Sequence, residues 1–384
     1  MFNICMLSSG HPPFDDRVYY KEALSLTSIG RVTIIAPCDN SRVTEDGIEI
    51  VGIPRRGKIL GRLIPLVFLF IIGLRLKADV YHCHEADSLL IGYLLKTFTG
   101  AKLIYDAHEY YPEAFSEKFC KILQKTVFYV VTIYEKFICK RCDAVITVNE
   151  DLLRKFLKYN KNSEVIPNYP TQQHFKYKAS DDFTKKDLGK YLIYAGGLTI
   201  DRGLIEMIEL LNILVVKNIN IKLLLVGYFN NSRDEKIIQK IISEKNLTSF
   251  VHFTGRLEHS QIPELMRNAL AGLLFLKPIS RYQKAEPIKL FEYMASGIPV
   301  VSYDYSGVKN IIKYQRCGIV VPPLNVNEAA ESVIYLFNNP SMAADMGIKG
   351  VEAFQKYYNW DICEKRLQKV YRILKEKNNA CVAG

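Results

Sequence analysis

The sequence predicts an α/β protein made of two Rossmann-like, doubly wound domains with mainly parallel sheets. Three observations carry this. The chain has 384 residues, more than one ordinary core holds, so two domains of similar size are expected. Short, almost wholly apolar runs recur along it, as suits strands covered on both faces. Helical patterns fill the intervals and supply the crossovers that parallel strands require.

In the first half the strand candidates are "FNICMLS", "RVTIIAP", "IEIVGI", "DVYHC", "KLIYDAH" and "DAVITV". In the second they are "YLIYAGG", "IKLLLVG", "FVHFTG", "AGLLFL", "IPVVSY" and "GIVV". Between the two sets lies a polar stretch, residues 165–190, with two prolines. The expected division is a first domain over 1–170, a linker over 171–185 and a second domain over 186–359. From Trp360 onward "WDICEKRLQKVYRILKE" has an amphipathic helical pattern, which by itself does not say which domain it joins.

Hydrophobic residues at 49% and charged residues at 24% fit a soluble globular protein. Nine scattered cysteines, an odd number, suit reduced thiols better than a disulfide framework. The start, "MFNICMLSSGHPPFDDR", has no basic region before a long apolar run and reads as a strand and loop, not a secretory signal. The net charge of +11 invites a nucleic-acid reading, but the excess is spread evenly. Residues 1–185 hold 25 basic and 21 acidic side chains, the remainder 26 and 19. No nucleic-acid motif accompanies them, so no such partner is expected.

Two local clusters are more informative. Residues 51–78 contain Arg55, Arg56, Lys58, Arg62, Arg75 and Lys77 and no acid; residues 118–142 hold six cations against Glu135. The apolar run from Leu63 to Leu74 is too short to span a bilayer, and Pro65, Gly73 and Arg75 are expected to break or end it. Two readings remain: a helix covering a sheet, or an interfacial helix whose flanking cations meet anionic lipid.

Ligands of open parallel sheets bind beyond the carboxyl ends of the strands, so the loops after strands carry the chemistry. After the first strand, Gly10 lets backbone approach a ligand, with Asp16 and Arg17 close behind; a plain turn explains the glycine equally well. After "KLIYDA" stands His108, able to donate to sugar or phosphate oxygens or simply to be satisfied by backbone. "HCHE" (82–85) invites a metal, but His82 and Cys83 alternate across a strand. Cys139 and Cys142 lack a second pair, so no metal site is expected. "YAGGLTIDRGL" places Gly196 and Gly197 between a strand and a helix, with Arg202 able to fork onto phosphate. It is not the dinucleotide glycine pattern.

In "EPIKLFEYMASGIPVV" (286–301), Pro287 suits the first helical position and Gly297 a stop. The amides of Ile288 and Lys289 then sit at a helix N-terminus, which attracts a diphosphate. Lys289 and Glu292 share a face: the cation meets phosphate and the carboxylate accepts ribose hydroxyls. An intrahelical ion pair is the plainer reading.

With these residues in view, the chain resembles, over its whole length, a family-4 retaining glycosyltransferase of the GT-B fold. "FEYMASGIPVV" is similar to the second half of that family's donor signature. "HPPFDDRVYYKEALSL", "IYDAHEYYPE" and "WDICEKRLQKVY" resemble bacterial members acting in surface-polysaccharide assembly. The resemblance implies two domains facing across a cleft, with the Trp360 helix crossing back to the first. It implies that Glu292 binds the donor ribose and that His108 lies by the transferred sugar. Glu286 is assigned to the reacting sugar as well; the glutamate usual eight residues before Glu292 is here Lys284. Gly10, Gly196, Gly197, Arg202, Leu257, Ile288, Lys289 and Glu292 form the expected donor set. Many members carry arginine at the place of Gly197 and lysine at that of Arg202. Arg17, His84, Glu85, Arg55, Arg56, Lys58 and Arg62 are expected on the acceptor and membrane side.

The implied reaction moves a sugar from a UDP- or GDP-sugar to a glycan or polyprenyl-linked glycan, without metal or cofactor and without a protein nucleophile. The implied place is the cytoplasmic face of the cell membrane, held peripherally. Two rivals stand beside it: a sugar-nucleotide epimerase of the same fold, and a partner subunit with an impaired donor site.

Overall fold

The computed structural model describes residues 2–55, 63–175, 190–258, 260–283 and 286–382. The chain divides into two units, Met1–Asn168 with Trp360–Gly384, and Tyr169–Asn359. Each is a sheet wrapped by helices. The short helix Gln172–Phe175, inside the stretch expected as linker, belongs to the second unit.

The first sheet contains β1 (Asn3–Leu7), β2 (Arg31–Pro37), β3 (Arg42–Val43), β4 (Glu49–Ile53), β5 (Val80–Cys83), β6 (Lys102–Ala107), β7 (Ala144–Thr147) and β8 (Ser163–Val165), in the order β3-β4-β2-β1-β5-β6-β7-β8. The second contains β9 (Tyr191–Ala195), β10 (Lys222–Val226), β11 (Val251–Gly255), β12 (Ala271–Leu274), β13 (Val300–Tyr303) and β14 (Gly318–Val321), in the order β11-β10-β9-β12-β13-β14. All twelve apolar runs form strands. Pairing is parallel except between β3 and β4. The two strands outside those runs, β3 and β8, are two and three residues long and lie at sheet edges, too short and too polar to show as apolar runs.

In each sheet the chain winds outward from one central strand and then back the other way. The direction reverses between β1 and β5, and again between β9 and β12. At such a switch point the flanking loops part and leave a crevice. Loop Ser8–Arg17 follows β1, His84 follows β5 and His108 follows β6. In the second unit Gly196–Gly197 follow β9, and the helix Ile288–Ala295 lies between β12 and β13.

Two expected helix breakers do not break. The helix Leu63–Leu76 runs through both Pro65 and Gly73. Pro65 falls in the first turn, where its missing N–H breaks no intrahelical bond. Gly73 is needed for contact: a Cβ there would lie 2.5 Å from Leu95 Cδ1. In the helix Ile288–Ala295, Pro287 is the cap and the helix begins one residue later than expected. Gly297 ends it with φ of 72°.

The helix Trp360–Val382 returns to the first unit. Trp360 is buried there, and its indole Nε1 donates to Ser25 Oγ at 2.9 Å. Gln368 Nε2 donates to Ser25 O at 3.1 Å, and Lys375 Nζ to Ile29 O at 3.2 Å. Deeper in, the Tyr371 hydroxyl lies 2.8 Å from His82 Nδ1. Trp360→Ala removes a buried aromatic and its hydrogen bond to Ser25 Oγ, which keeps its own bond to Lys21 O, so it is expected to destabilise the first unit by about 3–5 kcal/mol. Denaturant unfolding followed by circular dichroism reads this; an unchanged midpoint would mean the helix end contributes nothing.

Candidate functional site

In the first unit, the carboxyl ends of β1, β5 and β6 gather a buried polar cluster. Period-two alternation puts His82 and His84 on one face of their segment, and Asp106 and His108 on one face of theirs. Arg17 enters from the loop after β1. Its Nε donates to Asp106 Oδ2 at 2.7 Å and its Nη2 to Oδ1 at 2.8 Å, a two-point fork. Nη2 also lies 2.9 Å from Glu22 Oε1, and Nη1 donates to Ile166 O. His84 Nδ1 lies 3.3 Å from Asp106 Oδ2, and the His82 and His84 rings stack at 4.5 Å.

Burial works against every charge here. It would raise Asp106, but Arg17 and the contacts to His108 and His84 hold that carboxyl well below the usual range. Glu22 goes the other way: burial, with the Asp106 charge beside it, pushes it well above the usual range despite Arg17. His82 and His84 are lowered by burial first. The firm ion pair of the cluster is Arg17–Asp106, while burial favours the neutral forms of Glu22, His82 and His84 around it.

Ligand atoms of Glu22, His82, His84 and Asp106 lie within 4.8 Å of one another, as a metal cage would require. His82 and His84 of "HCHE", where strand alternation argues against a metal, do share this cluster, but its cationic place is held by the Arg17 guanidinium, which lies against both Glu22 and Asp106.

Arg17 and His84, expected on an open acceptor face, are 4% and 0% exposed. Their chemistry explains it: a forked cation and an imidazole both satisfy the buried Asp106. Glu85 is also buried, and it clamps the loop after β1. Its carboxylate accepts from Ser8 Oγ, Ser9 N, Gly10 N and His11 N, between 2.7 and 3.2 Å. The Gly10 amide is thus turned to Glu85, while the residue itself is exposed. His108, at the edge of the cluster, has Nδ1 3.2 Å from Asp106 Oδ2 and Nε2 3.2 Å from His11 Nε2. Arg55 is exposed and pairs with Asp39 at 3.3 Å; Arg56, Lys58 and Arg62 lie outside the described residues.

In the second unit, Lys289 and Arg202 converge on the glycine pair. Gly196 has φ of 141°, and a Cβ there would lie 2.4 Å from Lys289 Nζ. Only glycine permits that approach. A Cβ at Gly197 would lie 3.0 Å from Arg202 Nη1, so a longer side chain at 197 would compete for the room Arg202 occupies. Lys289 Nζ lies 5.7 Å from the Tyr194 ring centroid, and Tyr194 donates its hydroxyl proton to Gly197 O at 3.2 Å.

Lys289 is half-buried. Burial, and to a lesser degree the charge of Arg202, lower its pKa to about 8, against the pull of Glu292 one turn away. Ile288 and Lys289 open their helix, whose first internal bond runs from Leu290 N to Pro287 O. Glu286 is half-buried just ahead of the helix, and Leu257 is half-buried in the loop after β11. Lys284 lies outside the described residues. Beside Arg202 opens a cavity of about 630 Å³, lined also by Asn230, Arg233 and Tyr282.

Sequence reasoning did not single out His11, Glu22, Asp106, Tyr194 or Arg233. Asp106 was within reach, standing two residues before His108 on one strand face.

Two family models match. "Glycosyl transferases group 1" covers residues 175–352 and "Glycosyltransferase Family 4" residues 29–169. Together they take in both units, and the chain belongs to the family-4 glycosyltransferases of the GT-B fold. Among curated relatives, an alpha-D-kanosaminyltransferase of Streptomyces kanamyceticus is 26% identical over 47% of this chain, and the match spans only 45% of that relative. The GDP-mannose:cellobiosyl-diphosphopolyprenol alpha-mannosyltransferase of Xanthomonas campestris is 23% identical over 82% of this chain and 78% of its own. Among solved structures, sucrose-phosphate synthase of Thermosynechococcus elongatus superposes with a TM-score of 0.79 at 18% identity, over 98% of this chain and all of that one. Anabaena HepE in complex with UDP-glucose gives 0.74 at 15%, over 96% and 99%.

The Arg17–Asp106 pair has a measurable consequence. Arg17→Met or Asp106→Asn leaves a charge buried alone and is expected to cost about 3–5 kcal/mol of first-unit stability. The double variant should cost clearly less than the sum. Asp106 has a depressed folded pKa, so the pair's contribution is full above the unfolded value of about 3.9 and lost as pH falls through the folded one. Additive losses in urea unfolding would mean the two side chains do not act together.

Proposed function

We propose that this protein transfers a sugar, with retention of configuration, from a UDP- or GDP-sugar to a glycan or lipid-linked glycan in cell-surface polysaccharide assembly. One observation carries the reading: Lys289 and Arg202 meet at Gly196–Gly197 beside the start of the helix Ile288–Ala295. Two cations, glycine backbone and a helix N-terminus form a receptor for a diphosphate. Glu292, one turn further, accepts the ribose hydroxyls, and Leu257 lies toward the base. Glu286 and His108 serve the transferred sugar. The Xanthomonas relative is named for a GDP-sugar donor and a diphosphopolyprenol-linked acceptor, and HepE was solved with UDP-glucose; both support this choice of substrates.

The main chemical task is to stabilise a diphosphate leaving group. The bond from the anomeric carbon to the phosphate oxygen breaks with its electron pair on that oxygen. The acceptor oxygen bonds to the same face of the carbon, and its proton passes to the phosphate. Arg202, Lys289 and the helix amides meet the developing charge, so activity is expected without a divalent metal.

The test uses the unusual state of Lys289. Its free pKa of about 8 means that a diphosphate must bind the protonated lysine, and affinity falls as pH rises through that value. Calorimetric titration of UDP and GDP from pH 6.5 to 9.5 should show this decline. Lys289→Met should bind about 10–100-fold more weakly at pH 7, the range for a charge-assisted hydrogen bond, with a flat profile over the same pH. Equal affinity of the variant and the wild type would overturn the assignment.

We place the protein, further, at a membrane surface. The helix Leu63–Leu76 leaves Leu63, Ile64, Val67, Phe68 and Ile71 exposed, so it is not an ordinary covered helix. The helix Lys121–Cys139 exposes Ile122, Leu123, Tyr129, Val130, Ile133 and Phe137. Both pack against the helix Ala86–Thr99, which adds Phe98 to the same apolar zone. Lys121, Lys125, Lys136 and Lys140 accompany it. Among the described residues no helix is long and apolar enough to cross a membrane. Interfacial docking fits, with ~1 kcal/mol per basic residue near an anionic surface. Sedimentation with anionic but not neutral vesicles is expected, reversed by salt. It should be lost in Ile122→Glu/Ile133→Glu and weakened when Arg55, Arg56, Lys58 and Arg62 become Ser. Equal binding to both vesicle types, or to neither, would sink the membrane assignment.

A further inference from the structure

The loop after β1 brings His11 against His108, with Nε2 facing Nε2 at 3.2 Å. Between two such nitrogens one must donate and the other accept. The outer nitrogens are also engaged: His11 Nδ1 lies 3.3 Å from Asp15 Oδ2, and His108 Nδ1 lies 3.2 Å from Asp106 Oδ2. Carboxylates only accept, so each outer nitrogen carries a proton. A third proton is then required between the rings, or two lone pairs would oppose each other. Two imidazoles with three protons carry one positive charge.

We propose that His11 and His108 form a cationic dyad sharing one proton, with His11 the positioning residue that gives His108 a donor N–H at Nε2. This rests on the reading that His108 meets the substrate. The Asp106 contact places a proton on Nδ1 of His108 and leaves Nε2 without a partner that would hold a second one; His11 supplies that partner. The shared proton supplies an N–H at His108 Nε2, which a substrate oxygen, a hydroxyl of the transferred sugar or a phosphate oxygen, takes by replacing His11 Nε2 as its acceptor.

The surroundings hold the charge. His11 faces Asp15 on its own loop, Glu85 at the start of the helix Ala86–Thr99, and Glu109 and His108 after β6. Burial would lower its pKa, but the Asp15 contact and the charges of Glu85, Asp15 and Glu109 raise it. His108 faces Asp106 on β6, with the rings of His84 and of Tyr111, in the helix Tyr111–Ser116, beside it. Asp106 is committed to Arg17 and stays ionised. The Glu85 clamp on the backbone of residues 8–11 fixes the approach of the two rings. The His11 ring is the more open one, 30% exposed against 13% for His108, so its proton exchanges with solvent directly.

The test is nitrogen-15 imidazole NMR on the full chain from pH 5.5 to 9, with His11→Gln and Asp15→Asn. In the wild type, the His11 and His108 resonances are expected to shift together in one step, the charge being present below that pH and lost above it. In His11→Gln, which keeps a donor but no titrating group, the step shared by two rings should be gone and the His108 resonances should differ from those of the wild type. Asp15→Asn, which leaves both rings in place, should move the shared step to lower pH. Turnover should fall ~10–100-fold in His11→Gln with little change in KM, and the alkaline limb of kcat should vanish. If His108 titrates unchanged in His11→Gln, or the two rings titrate independently in the wild type, the dyad is wrong. His108→Asn separates the underlying reading: full activity there would remove His108 from the reaction, while the NMR result would still decide whether the dyad exists.

Discussion

The first unit is organised around the fork of Arg17 on Asp106. Two charges taken out of water cost several kcal/mol each, and their mutual attraction offsets this only when the remaining hydrogen-bonding capacity is also met. The surroundings meet it. Ile166 O takes one guanidinium nitrogen, Glu22 lies against another, and His84 and His108 approach the carboxylate. These contacts tie together the loop after β1, the ends of β5 and β6, and the segment after β8. His108 inherits its orientation from a carboxylate that cannot move without stranding Arg17.

The second unit treats its cation in the opposite way. Lys289 is half-buried where Arg17 is buried, and Glu292 pulls it toward the charged form while Arg202 pushes against it. Its charge is consequently held at a cost. On the proposed function, a diphosphate at Lys289 would relieve that cost.

Much of the fold was legible because buried parallel strands are apolar over their whole length, whatever their neighbours. "YLIYA" and "KLLLV" announce themselves, whereas Arg42–Val43 and Ser163–Val165 pair only because the sheet edge offers them partners. Gly73 looked like a break and is a contact, a distinction that depends on Leu95 in another helix. In the candidate site, glycines beside cations were visible as local patterns. The Arg17–Asp106 pair was not, because 89 residues separate its members and local pattern cannot see across that distance. The same holds for His11, whose meaning comes from His108, 97 residues away.

The return of the C-terminal helix makes the first unit discontinuous in sequence. During synthesis, Met1–Asn168 emerges first, but Trp360 and Tyr371, which close over Ser25 and His82, follow only after the whole second unit. At translation rates of about 5–20 residues per second, that is a wait on the order of ten to forty seconds. Through this interval His82 and the Ser25 surface remain uncovered, and the nascent first unit has a wet seam where the finished protein has core. Its assembly waits on a segment made after the whole second unit, so the second unit has every opportunity to fold before the first is sealed.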